Sequence, residues 1–141
     1  MDMKLELVVL PVSDVDRAAA FYQQAGFRLD VDHRAGEDFR VVQLTPPRSE
    51  CSITIGTGVT PSAPGSAQGL HLVVADIEAA RADLVERGID VSEPFHFGLQ
   101  GQAPGLHPER APYGTFASFA DPDGNGWLLQ EVARRHPERE W

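Results

Sequence analysis

Displaced by 62 positions, this sequence falls onto itself. Val12-Ser13-Asp14-Val15 meets Val74-Ala75-Asp76-Ile77, Ala18 meets Ala80, Tyr22 meets Leu84, Gly26 meets Gly88 and Phe27 meets Ile89. Few of these pairs are identical, but each keeps its physical role, as a duplicated unit does after drift. A chain of 141 residues made of two such copies must build each half from the same short series of elements.

Each copy opens with an apolar run, Leu5 to Val12 and Leu70 to Val74, which reads as a strand. Asp14 or Asp76 follows, a short acid able to accept from the free amides of a first helical turn and to complement its dipole. The helices then extend to about Ala25 and Arg87. Val15, Ala18, Tyr22 and Ala25 in one, and Ile77, Ala80 and Leu84 in the other, keep the spacing of a buried stripe. Gly26 and Gly88 stand where a left-handed residue ends a helix.

Beyond the helix the first copy predicts strands at Phe27–Asp32, Phe39–Leu44 and Cys51–Ile55, with Pro46-Pro47-Arg48-Ser49 as a turn. The second predicts strands at Ile89–Val91, Tyr113–Ala120 and Gly126–Val132, the last two joined by Asp121-Pro122-Asp123-Gly124-Asn125-Gly126. The expected fold class is therefore α+β, two tandem βαβββ modules. The first spans 1–59, a small polar linker 60–68, and the second 69–132 with an irregular insertion near 95–112; 133–141 is a charged tail. A long loop in one copy alone points to function.

Composition narrows the partners. A net charge of −9, scattered along the chain, repels phosphate backbones, so neither nucleic acid nor an anionic membrane surface is expected. No apolar run approaches the ~20 residues that span a bilayer. The start, Met1-Asp2-Met3-Lys4-Leu5-Glu6, has no secretory pattern, and the single Cys51 makes no internal disulfide; both point to the cytoplasm.

Two motifs carry a resemblance to a known family. They are Val12-Ser13-Asp14-Val15-Asp16-Arg17-Ala18-Ala19-Ala20-Phe21-Tyr22 with Gly26-Phe27 after it, and Phe119-Ala120-Asp121-Pro122-Asp123-Gly124-Asn125-Gly126-Trp127. With the repeat, they resemble the vicinal oxygen chelate superfamily, which includes glyoxalase I, extradiol dioxygenases, fosfomycin-resistance and bleomycin-resistance proteins. The resemblance covers about Lys4 to Val132. It implies two modules whose sheets curve into a half-open barrel around a cavity, with helices outside, and a homodimer.

In metal-dependent members, His, Glu or Gln from the opening and last strands of each module hold a divalent ion that polarises the substrate's oxygens. Carried onto this chain, the opening-strand positions, seven before Asp14 and Asp76, are Leu7 and Gly69. The last-strand position, seven after Asp121, is Leu128, and the fourth falls within Ile53-Thr54-Ile55. None is a good ligand for any ion. The resemblance thus implies no metal and no cofactor in this chain.

The residues that remain suit a binding cavity. Alternation sets His71 on the face of Gly69 and Gln130 on that of Leu128. His71 is the candidate general base or hydrogen-bonding group, and Gln130 a group that orients a ligand. Glu131 points the other way. Tyr113 and Trp127 offer flat surfaces for stacking, or places in the core. The expected ligand-binding set is Leu7, His71, Tyr113, Trp127, Leu128 and Gln130. His96 and His107 flank a glycine-rich, apolar segment that reads as a rim or lid, His33 sits in an exposed turn, and Cys51 is a small buried hydrophobe. Asp121 and Asp123 belong to a turn. The leading expectation is a metal-independent binder of a small organic molecule. The alternative is an enzyme: a metal-free lyase or isomerase using His71, or a metalloenzyme with a relocated site.

Overall fold

A computed structural model describes residues 1–133 of the chain; the charged tail from 134 onward lies outside the described residues. The elements run β1 (Leu7–Val9), α1 (Val15–Gln24), β2 (Arg28–Arg34), β3 (Arg40–Thr45), β4 (Ser52–Thr57), β5 (Leu70–Val74), α2 (Ile77–Glu86), β6 (Phe95–Gly98), β7 (Gly101–Pro104), β8 (Phe116–Ala120) and β9 (Gly126–Glu131). This is an α+β fold. It divides into two compact units, one of Met1–Gln68 with Ala120–Asn125, the other of Gly69–Phe119 with the chain from Gly126 on.

The helices begin and end as the repeat requires. The side chain of Asp14 accepts from the amide of Arg17 at 3.0 Å, and that of Asp76 from the amide of Ala79 at 3.1 Å. Each satisfies one of the amides that a first turn leaves free. At the other end Gly26 (φ 103°) and Gly88 (φ 88°) adopt the left-handed conformation, which only glycine reaches without a steric cost.

Unit 1 has a four-stranded sheet in the order β1-β4-β3-β2, with β1 parallel to β4 and the other pairs antiparallel. Val42 and Leu44 face the same side as Ile55 and Ile53, their partners across the ladder, and all four are buried with Ala18 and Tyr22 of α1. The opposite, helix-free face carries Leu7, Val9, Gln43, Thr45, Ser52 and Thr54. Pro11, Gly65 and Ala67 are tied to this unit by backbone and Asn125 hydrogen bonds, so the expected linker is ordered within it.

Unit 2 has five strands in the order β5-β9-β8-β6-β7. Its helix-facing side holds Ala117, Phe119, Trp127, Leu129 and Glu131, all buried. Three expectations are corrected here. The insertion near 95–112 is not wholly irregular, because β6 and β7 form a hairpin across Gly98 and Gly101. Nor is Ile89–Val91 a strand: the amide of Ile89 closes the C-terminal end of α2 on the carbonyl of Leu84, and its apolar pattern reflects burial without a ladder. Likewise β8 begins at Phe116, since Tyr113 at φ 65° cannot continue a strand.

Candidate functional site: the helix-free face of unit 2

The parallel register of β5 and β9 sets His71 opposite Leu128 and Val73 opposite Gln130. Partners in a ladder share a face, so these four stand together on the side away from α2. Phe116 of β8 joins them, its ring centroid 6.4 Å from that of His71 and nearly perpendicular to it. Phe95 stacks on Phe116 at 5.8 Å, and Phe97 meets it edge-on at 5.5 Å. An aromatic patch thus extends from the centre of the sheet to the β6–β7 hairpin. There Phe97 is 59% exposed and Leu99 fully so.

His71 itself is exposed. Its Nδ1 lies 2.7 Å from the Gly69 carbonyl, which only accepts. Nδ1 therefore carries the proton, and in the neutral ring the lone pair is left on Nε2. Gln130 is half-buried; its Nε2 donates to the Tyr113 carbonyl at 3.1 Å. This bond ties the loop before β8 to β9. Half-exposed apolar rings beside one imidazole and one amide can bind a neutral molecule by stacking, with a few directional bonds.

The other expected residues fall elsewhere. Trp127 lies on the helix-facing side, 4% exposed, with its ring parallel to Phe119 at 5.9 Å. That is the core alternative foreseen for it, and alternation with Leu128 explains it. Tyr113 is half-buried in the loop and also donates its amide to the Glu131 carbonyl. Leu7 is half-buried in β1 of unit 1. His33 is exposed but sits within β2, not in a turn. His96 and His107 approach within 5.9 Å, the first bonded to the Gly105 carbonyl, the second accepting at Nδ1 from the amides of Glu109 and Ala111. Cys51 is half-buried just before β4, where burial pushes its thiol pKa up, the opposite of a reactive thiolate.

Glu131 points away from Leu128, as alternation requires, and has a structural task. Only 3% exposed, it accepts from the first amide of α2, Ile77, at 3.0 Å, and from Arg110 at 2.6 and 2.9 Å. The hydrogen bonds from the Arg110 guanidinium hold its carboxyl below the usual carboxylate range, outweighing burial. Nothing in the sequence Glu109-Arg110-Ala111 marks Arg110 as a partner of β9. Nothing in the sequence marks Phe116 either, since it stands among the apolar residues of one strand.

The positions that the resemblance assigns to a metal hold one weak donor at most. Val9 stands five before Asp14 and His71 five before Asp76, and across the ladders Val9 pairs with Thr54 as His71 pairs with Leu128. The fourth position is therefore Thr54, and the set is Leu7, Gly69, Thr54 and Leu128. One neutral hydroxyl among alkyl groups and a glycine does not fit a divalent ion. Among the described residues, no group of three or more His, Cys, Asp or Glu is placed to hold one. An open hollow of about 310 Å³ at the start of α1 is polar, and its Arg40 is engaged by Asp16 and Asp32.

A family model, Glyoxalase/Bleomycin resistance protein/Dioxygenase superfamily, matches residues 4–129. The chain belongs to this superfamily. Solved structures agree. TnmS3, an antibiotic binding protein from Streptomyces sp. CB03234, is 32% identical, with 93% of this chain and 97% of that one covered and a TM-score of 0.70. A glyoxalase/bleomycin resistance protein from the same organism is also 32% identical, covering 91% and 100%, with a TM-score of 0.67. A superfamily member from Sphaerobacter thermophilus DSM 20745 is 27% identical, covering 92% and 98%, at 0.69. No curated protein matches. The face around Leu128 is aromatic and apolar.

Proposed function

We propose that this superfamily member binds a small, flat, largely apolar organic molecule, without a metal, on the helix-free face of unit 2. The observation that carries the reading is the cluster of His71, Phe116, Phe97 and Leu128 on one sheet face, exposed or half-buried where a core would be closed. Support comes also from the similarity to TnmS3, an antibiotic binding protein. Stacking on Phe116 and contact with Leu128 supply affinity, while His71 Nε2 and the Gln130 amide supply direction. The homodimer and the cytoplasmic setting expected from sequence belong to the same proposal; among the described residues no helix is long and apolar enough to cross a membrane.

Isothermal titration of chelator-treated protein with 2-naphthol tests this. Saturable binding that weakens about tenfold in Phe116→Ala is expected. Absence of binding, or binding indifferent to Phe116, contradicts the reading. One observation favours the enzymatic alternative: with its proton fixed on Nδ1, His71 presents Nε2 as an acceptor and hence as a general base. A turnover abolished in His71→Ala with ligand affinity retained establishes that alternative.

A further inference from the structure

Asn125 is the only asparagine of the chain, and a glycine follows it. That pair is chemically fragile wherever the backbone is free to move. Glycine brings no side chain to obstruct its own amide nitrogen, which can therefore reach the asparagine Cγ. The Gly126 nitrogen bonds to Cγ, the Cγ–Nδ2 bond breaks, and ammonia leaves with the proton of the Gly126 amide. Water then opens the cyclic imide at one of its carbonyls. Opening at one leaves an aspartate at 125. Opening at the other leaves an isoaspartate, in which the main chain runs through the former side chain. Both products carry a negative charge that asparagine lacks.

The fold withholds the freedom this reaction needs. Asn125 is fully buried. Its Oδ1 accepts from the Ala67 amide at 3.0 Å, and its Nδ2 donates to the Pro11 carbonyl at 2.9 Å and to Asp121 Oδ2 at 2.8 Å. Both hydrogens of the leaving nitrogen are thus engaged, and the plane of the group is fixed. The backbone is held as well. The Asn125 amide donates to Asp121 Oδ1 at 2.9 Å, its carbonyl accepts from the Asp121 amide at 3.1 Å, and Gly126 is the first residue of β9.

The same contacts make either product unfit for the native state. A carboxylate at 125 has no hydrogen to give, so its oxygen would face the Pro11 carbonyl and the Asp121 carboxylate in place of Nδ2. An isoaspartate lengthens the main chain inside a turn closed by Asp121 and Asn125.

We propose that Asn125-Gly126 is a modification site guarded by folding: intact in the native protein, converted to aspartate or isoaspartate in a chain that stays unfolded, and a bar to refolding once converted. Prolonged unfolding is then chemically irreversible, and the protein's operational lifetime is set by how rarely it opens. The neighbouring Asp123-Gly124 can close the same ring, but it expels water and returns no new charge, so a change of charge reports position 125.

The test holds the protein at mildly alkaline pH, folded in buffer and unfolded in guanidinium chloride, and follows charge-resolved chromatography with peptide mapping. The acidic product, mapped to residue 125, is expected to form at least about tenfold faster in the unfolded chain. After removal of denaturant, the converted fraction is expected to stay unfolded or to show a lower denaturation midpoint than the unconverted one. Gly126→Ala, followed in denaturant where folding plays no part, is expected to slow conversion about tenfold, because a Cβ obstructs ring closure. The proposal is overturned by no charge change in denaturant, by equal rates in the two states, or by a rate indifferent to Gly126→Ala. A charge change that maps to Gln68 or Gln100, each also followed by glycine, overturns it too. So does converted protein, or Asn125→Asp, that reaches the wild-type midpoint.

Discussion

The Tyr22 hydroxyl donates to Asp121 Oδ2 at 2.8 Å, across 99 positions of sequence. Asp121 is the hub of a buried network. Its two oxygens also accept from the Asn125 side chain and from the amides of Asp123 and Asn125, and Asn125 continues to the Pro11 carbonyl. Asp123 in turn accepts from the Ser13 amide and hydroxyl. The two motifs that resemble the superfamily, one around Phe21-Tyr22 and the other around Asp121-Pro122-Asp123-Gly124-Asn125, are therefore one physical object. A turn read from sequence as explained by its own geometry has a second task, to fasten α1 of unit 1.

Tyr22→Phe removes the hydroxyl and leaves a buried carboxylate oxygen short of one donor. A hydrogen bond to a charged group is worth roughly 1.5–3 kcal/mol, so the variant is expected to lose about 2 kcal/mol by urea denaturation. A loss within error of zero contradicts the role assigned to the pair.

Glu131 makes stability depend on pH. Arg110 holds its folded-state carboxyl below the ordinary value, so its contribution is complete above the ordinary carboxylate range and fades as pH falls through the folded pKa. Glu131→Gln is expected to cost about 2 kcal/mol at neutral pH and to flatten the acid limb of the stability profile. Denaturation midpoints measured from pH 7 down to 3 check both effects, and parallel profiles for the two proteins contradict them.

Gly65 lies in the stretch that composition marks as a linker, yet at φ 80° a Cβ there meets the Asp123 carbonyl oxygen at 2.0 Å. Gly65→Ala is expected to destabilise the protein by on the order of 2 kcal/mol, through backbone strain and the clash together. A flexible linker tolerates the change, so wild-type stability in this variant contradicts an ordered 60–68.

The repeat made most of the fold legible. Asp14 with Asp76 and Gly26 with Gly88 mark both helices because capping is a local matter of free amides and left-handed φ, which residue type reveals. The alternation of β9 likewise placed Leu128 and Gln130 on one face and Glu131 on the other. What stayed hidden depends on long-range partners. Arg110 meets Glu131 across 21 positions, and Phe116 meets His71 across strands that are far apart in sequence. The β6–β7 hairpin escaped because His96 and Gln102 alternate weakly with their neighbours, and pairing of two short strands rests on tertiary context more than on propensity.

The binding face proposed on β5, β8 and β9 needs no metal. Its most direct test is a nitrogen-15 and methyl NMR titration of chelator-treated protein with 2-naphthol. Saturable shifts clustered at His71, Phe116, Leu128 and Gln130 are expected, unchanged by added magnesium or zinc. Shifts that appear only when a divalent metal is supplied, or that leave these four residues unmoved, contradict it.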